Sequence, residues 1–314
     1  AAFLVTEFFV VALPLMITSA KADGHPIQAI THAGFGGGTD VTTRMMLLRT
    51  RRYLKQDMQL VNKKGGGGAA SMDYMMTLPA DGQHTLTWTT GHAVSMALGK
   101  TKVKLSDMQP LARGTDDPQL FVVNCKNEIK DAKKFISAQK SKSLKYGTTH
   151  VGGIDDVSAI AFTKKGKLTD PTIVPYKGVG PIKTNLIKGD IDVGVLNLGE
   201  AVTEIEDGTL CVSVVLASNR MEKLSNVPTA TELGIPVVLS TVRGFVTRKG
   251  VPADRKKQLE DAMIKAMEHK YFQSFLTDIG LDSTSVVGAD EWGKQMEVML
   301  AEMTAQLKAL GYIN

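Results

Sequence analysis

Seven residues constrain this chain more than any others: Gly34-Phe35-Gly36-Gly37-Gly38-Thr39-Asp40, which follow a short apolar-polar run, Ile27 to His32, and precede a helical pattern that begins at Val41. Four glycines among the first five residues strip the turn of side chains and leave a row of backbone N–H groups. These include the first free donors of the helix that follows. N–H donors at the positive end of a helix dipole suit an anion, with no lysine or arginine required. A glycine run also reads as a tight turn or a flexible linker. Its place here, after a strand and before a Thr/Asp pair able to cap a helix, makes it an ordered junction.

Two enzyme readings of these glycines fail on spacing. A phosphate-binding P-loop ends in Gly-Lys-Ser/Thr, and here Gly38 is followed by Thr39-Asp40. A dinucleotide fingerprint wants a third glycine where Thr39 stands and an acid where Asn62 and Lys63 stand. Gly-x-Ser-x-Gly, His-Glu-x-x-His and Cys-x-x-Cys do not occur, and no histidine cluster has metal spacing, so neither a catalytic centre nor a cofactor is expected. The adjacent pairs Asp116-Asp117 and Asp155-Asp156 point apart on a strand or helix, which argues for caps and turns over paired acid/base groups.

The apolar run from Phe8 to Ile17 is too short to span a bilayer, and Ala20-Lys21-Ala22 has the small-x-small pattern of a signal-peptidase site. Residues 1–22 are therefore expected to be a secretory leader, the alternative being a buried first helix. The remainder, about 290 residues, exceeds the usual size of a single core, so two lobes are expected. The net charge of +5 would suit acidic ligands, but the basic residues form no single patch and aromatics are only 6% of the chain, which argues against nucleic acid. The two cysteines, Cys125 and Cys211, fall in strand-like runs; they either pair in an oxidising compartment or remain separate buried thiols.

The junction motif recurs. A helix over Val41 to Leu54, a strand over Met58 to Asn62, the loop Gly65-Gly66-Gly67-Gly68, a helix over Ala69 to Leu78 and a strand over His84 to Trp88 follow in order. Thr89-Thr90-Gly91-His92 ends that third strand. A second series has strands at Leu120 to Asn124, Leu144 to Tyr146 and Asp192 to Leu196, helices at Asp131 to Gln139 and Pro181 to Lys188, and the loop Gly147-Thr148-Thr149-His150-Val151-Gly152-Gly153. Alternation of this kind predicts parallel sheets with ligand at the carboxyl ends of the strands. Leu210 to Leu216 is read as a strand returning to the first lobe, Val242 to Val246 as an extended piece, and Ala253 to Met267 and Ala289 to Leu310 as long helices. The whole predicts two α/β lobes whose glycine-rich strand ends face each other: residues 23–122 with 243–314, and residues 123–242.

Six motifs in order give a more specific reading. Gly36-Gly37-Gly38-Thr39-Asp40, Asn62 to Gly68, Pro79-Ala80-Asp81-Gly82, Gly147-Thr148, Val174-Pro175-Tyr176-Lys177-Gly178, and Val227-Pro228-Thr229 before Glu232-Leu233-Gly234 together resemble the extracytoplasmic solute receptors of tripartite tricarboxylate transporters, the Bug family. The resemblance implies an α/β type II periplasmic-binding-protein fold with a ligand cleft between two lobes, a periplasmic location, a monomer, a small carboxylate ligand and a membrane permease as partner. It places the ligand's carboxylate on Phe35, Gly36, Gly37, Gly38, Thr39 and Asp40 in the first lobe and on Thr148, Thr149 and their neighbours in the second.

The residues themselves add Thr89, Thr90 and His92 at the end of the third strand, His150, Gly152 and Asp155 in the second-lobe loop, and Asn197 after the strand that ends at Leu196. For each of these an ordinary role in a turn or cap stands beside the ligand role. Citrate-like tricarboxylates, aliphatic or aromatic dicarboxylates and acidic amino acids all present the required carboxylate. A sensory role on the same fold, and a nucleotide-dependent enzyme, are the alternatives.

Overall fold

The computed structural model describes residues 25–149, 152–309 and 311–313; the expected leader and His150 lie outside them. The chain begins with β1 (Ile27–Thr31), α1 (Gly38–Leu54), β2 (Met58–Asn62), α2 (Ala69–Met76), β3 (His84–Thr89), α3 (Thr90–Ala97) and β4 (Met108–Pro118). It continues through β5 (Leu120–Asn124), α4 (Ala132–Ser141), β6 (Lys145–Thr148), α5 (Ile154–Lys165), β7 (Thr172–Pro175), α6 (Val179–Lys188), β8 (Val193–Leu196), α7 (Leu198–Glu206) and β9 (Leu210–Val215). The last part holds β10 (Ser240–Arg248), α8 (Ala253–Glu268), α9 (Lys270–Asp278), β11 (Val287–Gly288) and α10 (Ala289–Ala309).

Two sheets result, in the orders β11-β4-β10-β3-β1-β2 and β7-β6-β8-β5-β9. The expected parallel pairing holds where strands alternate with helices: β1 runs parallel to β2 and β3, and β6 to β7 and β8. Both sheets are nevertheless mixed. β10 lies antiparallel between β3 and β4, and β5 lies antiparallel between β8 and β9, because these strands enter each sheet from the direction of the other.

The expected return of the chain at Leu210 to Leu216 does not occur there. β9 stays in the second sheet beside β5, and a Cys125–Cys211 disulfide ties the two. The return comes at Leu239–Ser240, next to the outward crossing at Gln119. There Gln119 N–H donates to the Leu239 carbonyl, Leu239 N–H to that of Leu216, and Leu216 N–H to that of Gln119, each at 2.9 Å.

Apolar layers fix both sheets. On one side of the first, Ile27, Met46, Phe245, Met263, Met267 and Phe272 are buried together. On the other, Trp88 meets Trp292 of α10 edge to face at 5.7 Å. β10 carries glycine at 244 because a Cβ there would come within 2.3 Å of the Trp292 ring. In the second sheet Phe121 packs against Phe135, Tyr146 and Phe162, the Phe121–Phe162 rings at 4.9 Å. Aromatic pairs of this geometry add roughly 0.5–1.5 kcal/mol each to their area burial.

Candidate functional site

The glycine loop delivers α1 to the end of the first sheet with its N-terminus bare. Gly37 is the N-cap and no side chain caps the helix. Gly36 takes a left-handed φ of +75° that a side chain would strain, and its N–H donates to Asp40 Oδ2 at 3.1 Å. Asp40 is 1% exposed, so it serves the loop and does not face an incoming anion. Burial works to raise its pKa, but Arg44, the Gly36 N–H and Asn62 together hold the carboxyl below its usual range. The Phe35 ring is 76% exposed at the rim, with Arg44 and Lys64 at 5.8 and 5.6 Å from its centroid.

Beneath this N-terminus lies a residue that the sequence reading left without a role. Arg243, on β10 between Thr89 of β3 and Thr115 of β4, is 3% exposed. Its Nη2 presses so closely on Gly38 that a Cβ there would sit 2.7 Å away. Nη1 pairs with Asp117 Oδ2 at 3.2 Å. The other contacts are long: Nε to Thr39 Oγ1 at 3.3 Å, and Nη2 to Asn197 Oδ1 and Nη1 to Thr115 Oγ1 and the Thr241 carbonyl at 3.5 Å. A guanidinium at the positive end of a helix dipole is unfavourable by itself. An anion in reach of both would relieve the repulsion.

Asn197 brings in the second lobe. It is the N-cap of α7, its own N–H donates to Glu200 Oε2 at 3.0 Å, and its Nδ2 donates to the carbonyls of Asp117 and Pro118 at 2.9 and 3.0 Å. Arg243 is therefore surrounded by Asp117, Thr39 and Asn197, with Glu200 one helical turn into α7. Burial pushes the Asp117 carboxyl up to about 6, against the pull of Arg243. Burial likewise pushes Glu200 up to about 7, with Asp155 and Asp117 adding repulsion and the Asn197 N–H and Arg243 opposing it.

The second-lobe loop reaches the same floor by another route. Asp155, near the start of α5, accepts from the N–H and hydroxyl of Thr149 at 2.9 and 2.6 Å and from Gln119 Nε2 at 3.4 Å. Gln119 Nε2 also donates to Thr241 Oγ1 at 2.7 Å, linking α5 to β10 through the crossover. Gly152, at φ +68°, donates its N–H to Asp156 Oδ2 at 2.6 Å, so Asp155 and Asp156 order this loop. Thr148 is fully buried, and its hydroxyl has no hydrogen-bond partner among the described residues.

The third-strand candidates lie deeper. Thr90 Oγ1 donates to the Ser240 carbonyl and accepts from Val242 N–H, both at 2.9 Å, pinning α3 to the start of β10. His92 has no exposed surface: its Nδ1 accepts from Thr89 N–H at 3.0 Å and its Nε2 lies 3.0 Å from Ser71 Oγ. It packs edge-on to His32 at 4.4 Å, under Gly68, where a Cβ would meet it at 2.7 Å. Burial, and then the neighbouring His32, lower its pKa well below the ordinary histidine value. The structure thus brings Gly38, Thr39 and Asn197 together around Arg243, sets Thr149 and Asp155 beside them through Gln119, and holds Thr89 and His92 in the support beneath the second glycine loop.

The model of the tripartite tricarboxylate transporter family receptor matches residues 42–310. The chain belongs to this receptor family. It is 27% identical to protein BugT of Bordetella pertussis, over 67% of this chain and 66% of that protein. Among solved structures it resembles MatC (Rpa3494) from Rhodopseudomonas palustris with bound malate, at 23% identity and TM-score 0.79 over 90% of this chain and 98% of that one. Rpa4515 of R. palustris with adipate is similar at 21% identity and TM-score 0.80, over 91% and 97%. The receptor family accounts for two mixed α/β layers joined by crossing strands, the two-lobed type II periplasmic-binding-protein fold.

Proposed function

We propose that this receptor captures a small carboxylate between the α1 and α7 N-termini and hands it to the permease of a tripartite transporter after export to the periplasm. The observation that carries the reading is the bare α1 N-terminus beside the Arg243 guanidinium, which presses against Gly38 and is paired with Asp117 through Nη1 alone, so that one ligand carboxylate can engage both positive features. Charge-assisted hydrogen bonds contribute about 1.5–3 kcal/mol each, so three or four support roughly micromolar binding after the cost of association. The malate and adipate held by the two similar structures favour dicarboxylates within this class. In this reading the receptor acts as a monomer and the lobes close about the crossings at Gln119 and Leu239.

A thermal-shift screen of the purified receptor against carboxylates tests the proposal. Ligand at about a hundred times its dissociation constant stabilises by about 2.7 kcal/mol, a rise of several degrees for a chain of this length. A melt that no carboxylate moves, while a nucleotide does, would place the protein in another functional class.

A further inference from the structure

The cleft floor offers acceptors as well as donors. Asp117 is 2% exposed; one carboxylate oxygen is paired with Arg243 and the other, Oδ1, has no hydrogen-bond partner among the described residues. Gln119, two residues on and 1% exposed, donates through Nε2 to Thr241 and Asp155 while its Oε1 likewise has no partner. Buried acceptors are nearly always satisfied, and an open carboxylate oxygen within the Arg243 ion pair marks a place where a donor belongs. Beside them Arg243 holds its remaining neighbours only at 3.3–3.5 Å, so its Nε and Nη2 hydrogens are loosely engaged.

Donors for a carboxylate and acceptors for an N–H or O–H therefore adjoin within one ion pair. A ligand that matches both carries its hydrogen-bond donor on the carbon next to the carboxylate. Building on the carboxylate-receptor reading, we propose that the Arg243–Asp117 pair is the specificity element of this cleft, selecting α-hydroxy or α-amino carboxylates over the same acids without the donor. Arg243 takes the carboxylate together with the α1 N–H groups, and Asp117 Oδ1 accepts from the hydroxyl or ammonium. The ligand's carboxylate competes with that of Asp117 for one guanidinium, so an acid that brings no donor gains less from the exchange.

Matched pairs test this on the whole receptor by isothermal titration: L-malate against succinate, 2-hydroxyglutarate against glutarate, citrate against propane-1,2,3-tricarboxylate, and L-aspartate against succinate. The hydroxyl pairs and the amino pair separate the two donor types. In at least one pair the donor-bearing acid is expected to bind about ten-fold tighter or more, the effect of one hydrogen bond to a charged group. In Asp117→Ala that preference should collapse to about two-fold or less, while the donor-free acid tightens because Arg243 has lost its competing carboxylate. A local folding defect would weaken both members of a pair alike.

Equal binding within every pair of the unmodified receptor, or a preference that survives Asp117→Ala, overturns the proposal and leaves carboxylate capture standing. Failure of every acid to bind removes both readings together.

Discussion

Gly38→Ala is the perturbation in which helix stability and ligand binding should part most cleanly. Gly38 is the first residue of α1, and alanine is the better helix former, by roughly 0.5–1 kcal/mol in a helix interior and by less at this end position. The added methyl would lie 2.7 Å from Arg243 Nη2 and 3.4 Å from Cζ, so the guanidinium must move away. That movement lengthens a buried pair already at 3.2 Å from Asp117. Full loss of a buried pair's partner costs about 3–5 kcal/mol, and a shift of tenths of an ångström only part of it. The two effects oppose, and the unliganded melting temperature should change by only a few degrees. Binding has no such compensation: the methyl intrudes where a carboxylate meets the first N–H of α1 and displaces one charged donor. Loss of one charge-assisted hydrogen bond is worth about 1.5–3 kcal/mol, or roughly ten- to a hundred-and-fifty-fold in Kd. Titration calorimetry with the tightest acid from the screen, beside a melt of the unliganded protein, reads both numbers. Affinity unchanged within about two-fold, with the melt intact, would refute the reasoning.

Three further expectations follow from the same residues. Asp117 and Glu200 titrate at about 6 and about 7 in the folded chain, above the ordinary 3.8 and 4.5, so the native state binds more protons than the unfolded one across that range. Stability should then fall as pH rises from about 4 to about 7, by on the order of 3 kcal/mol for Asp117; urea midpoints across that range should slope less steeply in Glu200→Gln, and superimposable curves would contradict the assignment. Reducing Cys125–Cys211, which closes a separation of 86 residues, should cost roughly 4–5 kcal/mol on the loop-entropy account; unreduced protein should take up no thiol-alkylating label, and two labels per chain would remove the bond. His92 should stay neutral, burial and then the neighbouring His32 holding its ring well below the ordinary histidine value of 6.5; ring resonances with a midpoint near 6.5 would mean that it is not buried as described.

How far the sequence could be read depended on whether local pattern or tertiary context decided each element. β2 over Met58–Asn62 and β5 over Leu120–Asn124 coincide with their expected bounds, because each is a run of strand-favouring residues ended by turn or loop chemistry. The longest strand, β4, was not expected at all. Met-Gln-Pro-Leu-Ala-Arg-Gly-Thr-Asp-Asp-Pro has two prolines, a glycine and two aspartates, and it is a strand only because β10 and β11 pair with it and ion pairs absorb its charges. The expectation of caps and turns for Asp116-Asp117 fails for that reason. The two lie on β4, Asp116 on Arg113 and Asp117 on Arg243. Asp155 and Asp156 do hold backbone N–H groups of the loop before them, as short acidic side chains in the first turn of a helix often do.

Arg243 is the most instructive omission. It stood inside a run expected to be extended, Val242 to Val246, and its partners come from 204, 126 and 46 positions away in sequence. A signal was nevertheless present. A lone cation between Val242 and the Gly244-Phe245-Val246 run of a buried strand requires a buried anion or a ligand, since an unpaired charge there is prohibitively costly. Local spacing alone was enough to raise the expectation of an anion at the glycine loop. That Arg243 lies against Gly38 became visible only once β10 was placed under α1.

The most direct measurement is a crystal structure of the receptor with the acid that shifts its melt furthest. A carboxylate oxygen is expected within about 3 Å of the N–H groups that open α1 at Gly38 and Thr39, with the Arg243 guanidinium as its charged partner. An acid group found away from both Gly38 and Arg243, or bound chiefly by surface lysines, would contradict the account.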